Sequence, residues 1–163
     1  MRFKINMMAL GLAVGVAGLA QAMPTADYLK AAGGGDLYEK KSSETVLAST
    51  KDAHVRMVAR TMIADHAKST AMVKAAAAKS GLHPAPPMLD AEQKKMVADL
   101  AAAKGADRDA LYLQQQKAAH EKALALHEGY ASGGDKPALR EAAGKIAPVV
   151  KHHIAMLGGS AAM

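Results

Sequence analysis

Residues 136–157, KPALREAAGKIAPVVKHHIAML, decide the fold class. Apolar residues recur in this stretch every three or four positions, which is the spacing of one face of an α-helix. That face consists of Leu139, Ala143, Ile146, Val150, His153 and Leu157. Helical spacing continues back to Thr25, and no alternating strand-like run interrupts it. The sequence therefore predicts an all-α protein.

Glycine and proline residues fall mainly between the helical segments and divide the chain into four long helices. We expect them at about 25–49, 52–80, 108–131 and 136–157. Asp107 and Asp135 are expected to cap the last two, and Pro148 to kink the final helix without ending it. The run Gly33-Gly34-Gly35 is expected to loosen the first helix, because each glycine costs about 1 kcal/mol relative to alanine.

The connections between the helices predict their arrangement. Two connections are short and require antiparallel neighbours, whereas residues 81–107 are long enough to cross one end of a bundle. A short helix over about 90–103 is expected in this crossover, because Asp90 and Gln93 have the spacing of a capping box. This pattern predicts a ferritin-like antiparallel four-helix bundle over residues 23–163, with 158–163 as a flexible tail.

The first 22 residues have the organisation of a signal peptide. Arg2 and Lys4 precede an uncharged apolar stretch over residues 7–19, and Ala20-Gln21-Ala22 has the small-x-small form of a signal-peptidase site. The apolar stretch is shorter than the roughly 20 residues that a spanning helix needs, and no second long one follows. We therefore expect a periplasmic or secreted protein that is not an integral membrane protein.

Composition excludes several classes of function. The chain of 163 residues has no cysteine, which rules out disulfides, thiol catalysis, iron–sulfur clusters and thiolate zinc sites. Its formal net charge is +6, but acidic residues are interleaved with the basic ones and only 3% of residues are aromatic. Because stacking platforms are missing, nucleic acid is not expected as a partner, and neither a partner nor an oligomeric state is predicted.

Each predicted long helix places one potential metal ligand on its apolar face, and together these are Glu39, His66, His120 and His153. Counted in residues from the turns that connect the helices, Glu39 and His66 are expected at similar heights along the helix axes. His120 and His153 are expected about one helical turn apart, which favours two pairs over a single tight site. The residues expected to orient the ligands or to replace them are Asp36, Asp65, His127 and His152.

The candidate metal ion is iron, zinc or copper. Copper is included because Met62 with His66, and Met156 with His152, place a thioether beside an imidazole on a helix. The alternative is an interaction or stress-protection module in which the same polar layer is purely structural. Enzymatic oxidation is the weakest hypothesis, because no glutamate is followed by histidine three residues later, as it is in carboxylate di-iron bundles.

Several motifs together resemble those of one family. The motifs are Asp36-Leu37-Tyr38-Glu39 with Ser42-Ser43, Met62-Ile63-Ala64-Asp65-His66, Gln115-Gln116 with Ala119-His120, Leu126-His127, and Pro148 followed by His153. Over about residues 25–157 the chain resembles the domain of unknown function 4142 family, which is exported, regarded as ferritin-like and often labelled as outer-membrane proteins. The resemblance implies this fold, export and no established activity, with recurring positions at Glu39, Asp65, His66, His120 and His153.

We predict cleavage after Ala22 and a mature chain that begins at Met23. Ala20 and Ala22 provide the small side chains that signal peptidase requires, and Pro24 follows the cleavage point. N-terminal sequencing of the protein from a periplasmic extract measures this directly. Protein that stays in the cytoplasmic membrane with residues 1–22 attached would contradict the prediction.

Overall fold

The structure, a computed structural model, describes residues 23–158, and over this range the chain is all-helical, as predicted. Its five helices are α1 Thr25–Leu47, α2 Ala53–Lys79, α3 Ala91–Ala102, α4 Gly105–Gly133 and α5 Pro137–Leu157. The predicted signal peptide, and residues 159–163 of the predicted tail, lie outside the described residues. Between residues 23 and 158, no helix is both long enough and apolar enough to cross a membrane.

Local sequence signals explain where α2 and α3 begin and end. Asp52 caps α2 by accepting a hydrogen bond from the Val55 amide, and α2 ends before Gly81, which has a φ of 70°. The predicted capping box at α3 is confirmed. The Asp90 carboxylate accepts from the Gln93 amide at 2.8 Å, and the Gln93 side chain accepts from the Asp90 amide at 3.0 Å.

The predicted caps of the last two long helices are wrong. The N-cap residue of α4 is Lys104, so Asp107 lies inside the first turn. Its negative charge there still interacts favourably with the positive end of the helix dipole. The N-cap residue of α5 is Lys136, with Pro137 as the first helical residue. The Asp135 carboxylate instead accepts hydrogen bonds from Thr25 and Tyr130, which ties the α4–α5 connection to the start of α1.

The glycine run lies inside a continuous α1, so the expected loosening does not interrupt the helix. A Cβ atom at Gly33 would lie 3.2 Å from the Cβ of Pro87, and one at Gly34 would lie 3.1 Å from the Met88 carbonyl oxygen. The crossover segment therefore passes so close to α1 that side chains at these positions would crowd it. Packing against the crossover offsets the low helix propensity of glycine.

Four helices contact one another in a ring. α1 contacts α2 and α4, while α5 contacts the same two helices from the other side, and α3 packs against α1 and α4. Tyr28, near the start of α1, hydrogen-bonds His127 near the end of α4. Ser43, near the end of α1, hydrogen-bonds Tyr112 near the start of α4. α1 and α4 therefore run in opposite directions. α5 is a continuous helix through Pro148.

Two apolar clusters fill the interior and leave a polar layer between them. One cluster includes Tyr28, Tyr130 and Leu139, and the other includes Val58, Met62 and Met156. The predicted α5 face is buried at Leu139, Ile146, Val150 and His153, and half-buried at Leu157. Along each long helix, the buried charged and histidine side chains that the sequence singled out lie between residues of the two clusters.

Candidate metal centre

Three histidines from three helices meet in the polar layer. One ligand nitrogen of each of His66, His120 and His153 lies within 4.8 Å of the other two. His120 Nε2 is 3.4 Å from His66 Nε2 and 3.2 Å from His153 Nδ1. All three side chains are at least 90% buried, with exposed fractions of 7%, 0% and 1% respectively.

The second nitrogen of each ring is held by an acceptor. His66 Nδ1 lies 2.8 Å from the Asp36 carboxylate, and His120 Nδ1 lies 2.8 Å from the Gln116 carbonyl oxygen. His153 Nε2 lies 3.2 Å from the Asp65 carboxylate. Because a carbonyl or an ionised carboxylate only accepts, each of these outer nitrogens carries a proton. Asp36 and Asp65 thus occupy the orienting positions that the sequence suggested for them.

These outer hydrogen bonds determine what the inner nitrogens can do. A neutral imidazole with its proton on one nitrogen has only a lone pair on the other. When all three rings are neutral, their inner nitrogens, His66 Nε2, His120 Nε2 and His153 Nδ1, are therefore all acceptors. His120 Nε2 lies 3.2–3.4 Å from the other two. Acceptors at this distance need a shared proton or a cation between them.

Burial keeps two of the three histidines neutral. It lowers the pKa of His120 to about 3, with a further contribution from nearby His66. Burial also lowers the pKa of His153, against the opposing hydrogen bond with Asp65. At His66, burial acts in the same direction, but the Asp36 hydrogen bond and the charges of Glu39 and Asp36 raise the pKa above its usual value. Of the three histidines, His66 is therefore the one that binds an extra proton most readily.

The spacing of the inner nitrogens fits a metal ion. Imidazole nitrogens bind Zn²⁺ at 2.0–2.1 Å, so two of them at tetrahedral angles stand about 3.3–3.4 Å apart. The two measured distances, 3.4 Å and 3.2 Å, are close to that value. Metal-binding histidines typically donate their other N–H to a carboxylate or a backbone carbonyl, which is the pattern around all three rings.

Glu39, the fourth predicted ligand, lies beside this group. Its Oε1 is 3.8 Å from His120 Nδ1, the outer nitrogen, and its side chain is almost fully buried. Burial raises the Glu39 pKa to about 7, which the positive charge of His66 partly opposes. Glu39 Oε2 has no hydrogen-bond partner among the described residues. Its role as a ligand remains a prediction.

The alternative ligands lie elsewhere. His127 is buried, its Nδ1 is 3.2 Å from the Tyr28 hydroxyl, and burial lowers its pKa to about 4. His152, which was expected as a possible replacement ligand, is exposed, whereas its neighbour His153 belongs to the three-histidine group. Met62 and Met156 both pack in the same apolar cluster, which accounts for their burial without a metal.

The expected height difference between His120 and His153 is close to the observed one, but it does not separate the two residues into different pairs. The structure joins α4 to α5 through residues 134–136, so the turn is centred on Asp135. The remaining offset of three residues is about 4.5 Å along the helices, which two imidazole side chains span. Gln116 is part of the sequence motifs but had no predicted role; its carbonyl oxygen accepts from His120, and its side-chain amide donates to Ser42 at 3.1 Å.

The model of one protein family matches residues 14–158, and the chain belongs to this family, the domain of unknown function family DUF4142. The match covers most of the chain and confirms the family suggested by the sequence motifs. No curated protein and no solved structure matches the chain significantly.

We predict that Asp36→Asn lowers the pKa of His66 in metal-free protein. Loss of the carboxylate leaves burial as the dominant influence, so the pKa should fall from above its usual value of 6.5 to below it. Because folding raises this pKa, the His66–Asp36 pair stabilises the wild type below pH 6.5, and this contribution is lost as pH rises through the folded value.

An NMR titration of the histidine ring protons measures this effect. Asp65→Asn is the matched control, because Asp65 hydrogen-bonds His153 and acts on His66 only through its more distant charge. Its effect on the His66 pKa should be smaller. Equal shifts in the two variants would contradict the assignment of Asp36 to His66.

Proposed function

We propose that this chain, from a family without an assigned activity, is an exported metal-binding protein with a ferritin-like four-helix bundle fold. In this proposal His66, His120 and His153 hold one metal ion through their inner nitrogens. The ring of contacts among the four long helices supports the bundle. The signal-peptide pattern supports export.

One observation carries the proposal. Three buried imidazoles present lone pairs to one another, while each outer nitrogen is fixed by an acceptor. A single proton on His66 can bridge to His120 but leaves the 3.2 Å contact between His120 and His153 with no proton. A metal ion satisfies all three nitrogens together, so it fits the geometry better than a purely structural polar layer.

The donor set narrows the choice of metal. Three imidazoles suit Zn²⁺, Fe²⁺ and copper, and the hard oxygen ligands that Mg²⁺ and Ca²⁺ prefer do not form the group. Three protein ligands leave a position for water or another small molecule. We propose binding and not turnover, because the sequence lacks the Glu-x-x-His pairs of carboxylate di-iron bundles.

We predict stoichiometric binding of Zn²⁺, Fe²⁺ or Cu⁺ tighter than about 10 μM at neutral pH, measured by calorimetric titration of untagged protein. Metal at 100 times its Kd should stabilise the fold by about 2.7 kcal/mol. Protons compete for the inner nitrogens, first at His66, whose pKa is raised above 6.5, so both effects should decrease as pH falls through that raised pKa.

Neighbouring histidines provide a matched pair of variants for this titration. His153→Ala should weaken metal binding at least about 100-fold, whereas His152→Ala, which changes an exposed ring, should leave it nearly unchanged. Glu39→Gln tests whether Glu39 is a fourth ligand of the metal. The three-histidine site predicts a change below about threefold, and a loss above about tenfold would make Glu39 a ligand.

Two results would contradict the metal site. One is the absence of binding tighter than about 10 μM for all three metals, and the other is equal weakening by His153→Ala and His152→Ala. Either result would favour the alternative, an interaction or stress-protection module in which Asp36, Asp65 and the histidines only fix the helix register.

A further inference from the structure

A second candidate site lies beside the histidine group. A cavity of about 580 Å³ is lined mainly by residues of α1, α3 and α4, together with His66 of α2. This volume is within the range of small-molecule sites, which are mostly apolar with a few polar groups that orient the ligand. Much of the lining is small and apolar, and includes Ala32, Gly35, Ala119, Ala123 and Leu126.

Glu39 is the polar group of this cavity that lacks a partner. It lines the cavity with a side chain that is 5% exposed, and its Oε2 makes no hydrogen bond within residues 23–158. The other inner carboxylate, Asp36, is fully engaged, because its two oxygens accept from His66 and Thr70, each at 2.8 Å. A buried carboxylate oxygen without a donor costs free energy, so Glu39 favours a ligand that brings one.

The charges around the cavity favour a positive ligand. Four carboxylates line it, from Asp36, Glu39, Asp90 and Glu92, against two basic side chains, Lys122 and His66. Lys122 is itself paired with Glu92 at 3.0 Å. An anion would meet repulsion at Glu39, whereas a cation would gain from the net negative lining.

We propose that this cavity binds a small organic ammonium ion, with its ammonium group on the Glu39 carboxylate and its apolar body against Ala119, Ala123 and Leu126. A bare metal ion fits less well, because these apolar side chains offer it no ligand atoms. The proposal goes beyond the three-histidine site and does not require that a metal be bound there.

Benzylammonium and benzyl alcohol test this proposal, because they share an apolar ring and differ in charge. The protein is treated with a chelator and kept near pH 8. Binding is followed by calorimetry and by NMR of the backbone amides. Benzylammonium should bind with a Kd below about 1 mM and shift the amides of Gly35, Ala119 and Ala123, and benzyl alcohol should bind at least tenfold more weakly.

Two charge-removing variants on α1 complete the test. Glu39→Gln should weaken benzylammonium binding at least tenfold, whereas Glu44→Gln, at an exposed position paired with Lys40, should leave it unchanged. Equal affinities for the ammonium and the alcohol in the wild type would overturn the proposal without any variant. Amide shifts confined to residues outside the cavity would also overturn it. Failure of metal binding alone would leave this result unaffected.

Discussion

The central constraint on this interior is that three buried imidazole nitrogens face one another, while one proton at His66 can serve only one of their two close contacts. The constraint arises from the groups behind the rings, since Asp36, Asp65 and the Gln116 carbonyl each hold a proton on the outer nitrogen. In water the rings would simply turn toward solvent. In this interior they are held in place, which is the observation behind the proposed metal ion.

The fold supplies the conditions that make this layer unusual. Apolar clusters lie on both sides of it, and His120 is completely buried between them. Burial lowers the pKa of His120 to about 3, which keeps its ring neutral over the physiological range. The layer also brings together the four long helices, because α1 contributes Asp36, α2 contributes His66 and Asp65, and α4 and α5 contribute the remaining histidines. A bound metal would therefore stabilise the contacts among all four.

Short-range patterns in the sequence were sufficient for most of the helices but not for all their ends. The capping box at Asp90 was predictable because both partners lie within one turn. The caps at Asp107 and Asp135 were predicted wrongly. Asp135 is engaged by Thr25 and Tyr130, and Thr25 is 110 residues away along the chain, beyond the reach of a local pattern. The glycine run in α1 is tolerated for a similar reason, because the crossover packs against it.

The candidate site was predictable as residues but not as geometry. Helical spacing placed His66, His120 and His153 on inner faces, and all three are buried. Their convergence depends on where the α4–α5 turn is centred, because a shift of one residue there changes the offset between His120 and His153 by two residues, about 3 Å. The position of Glu39 behind His120 depends on side-chain rotamers, which spacing does not determine.

X-ray absorption spectroscopy of the protein loaded with its tightest-binding metal identifies the ligands of that metal. For Zn²⁺, the three-histidine site predicts three imidazole nitrogens at about 2.0–2.1 Å, with the remaining position taken by a light atom. Fewer than three imidazoles around the metal, or a shell made of oxygen or methionine sulfur, would contradict it. Such a spectrum would leave the histidine layer as a structural feature of the helix packing.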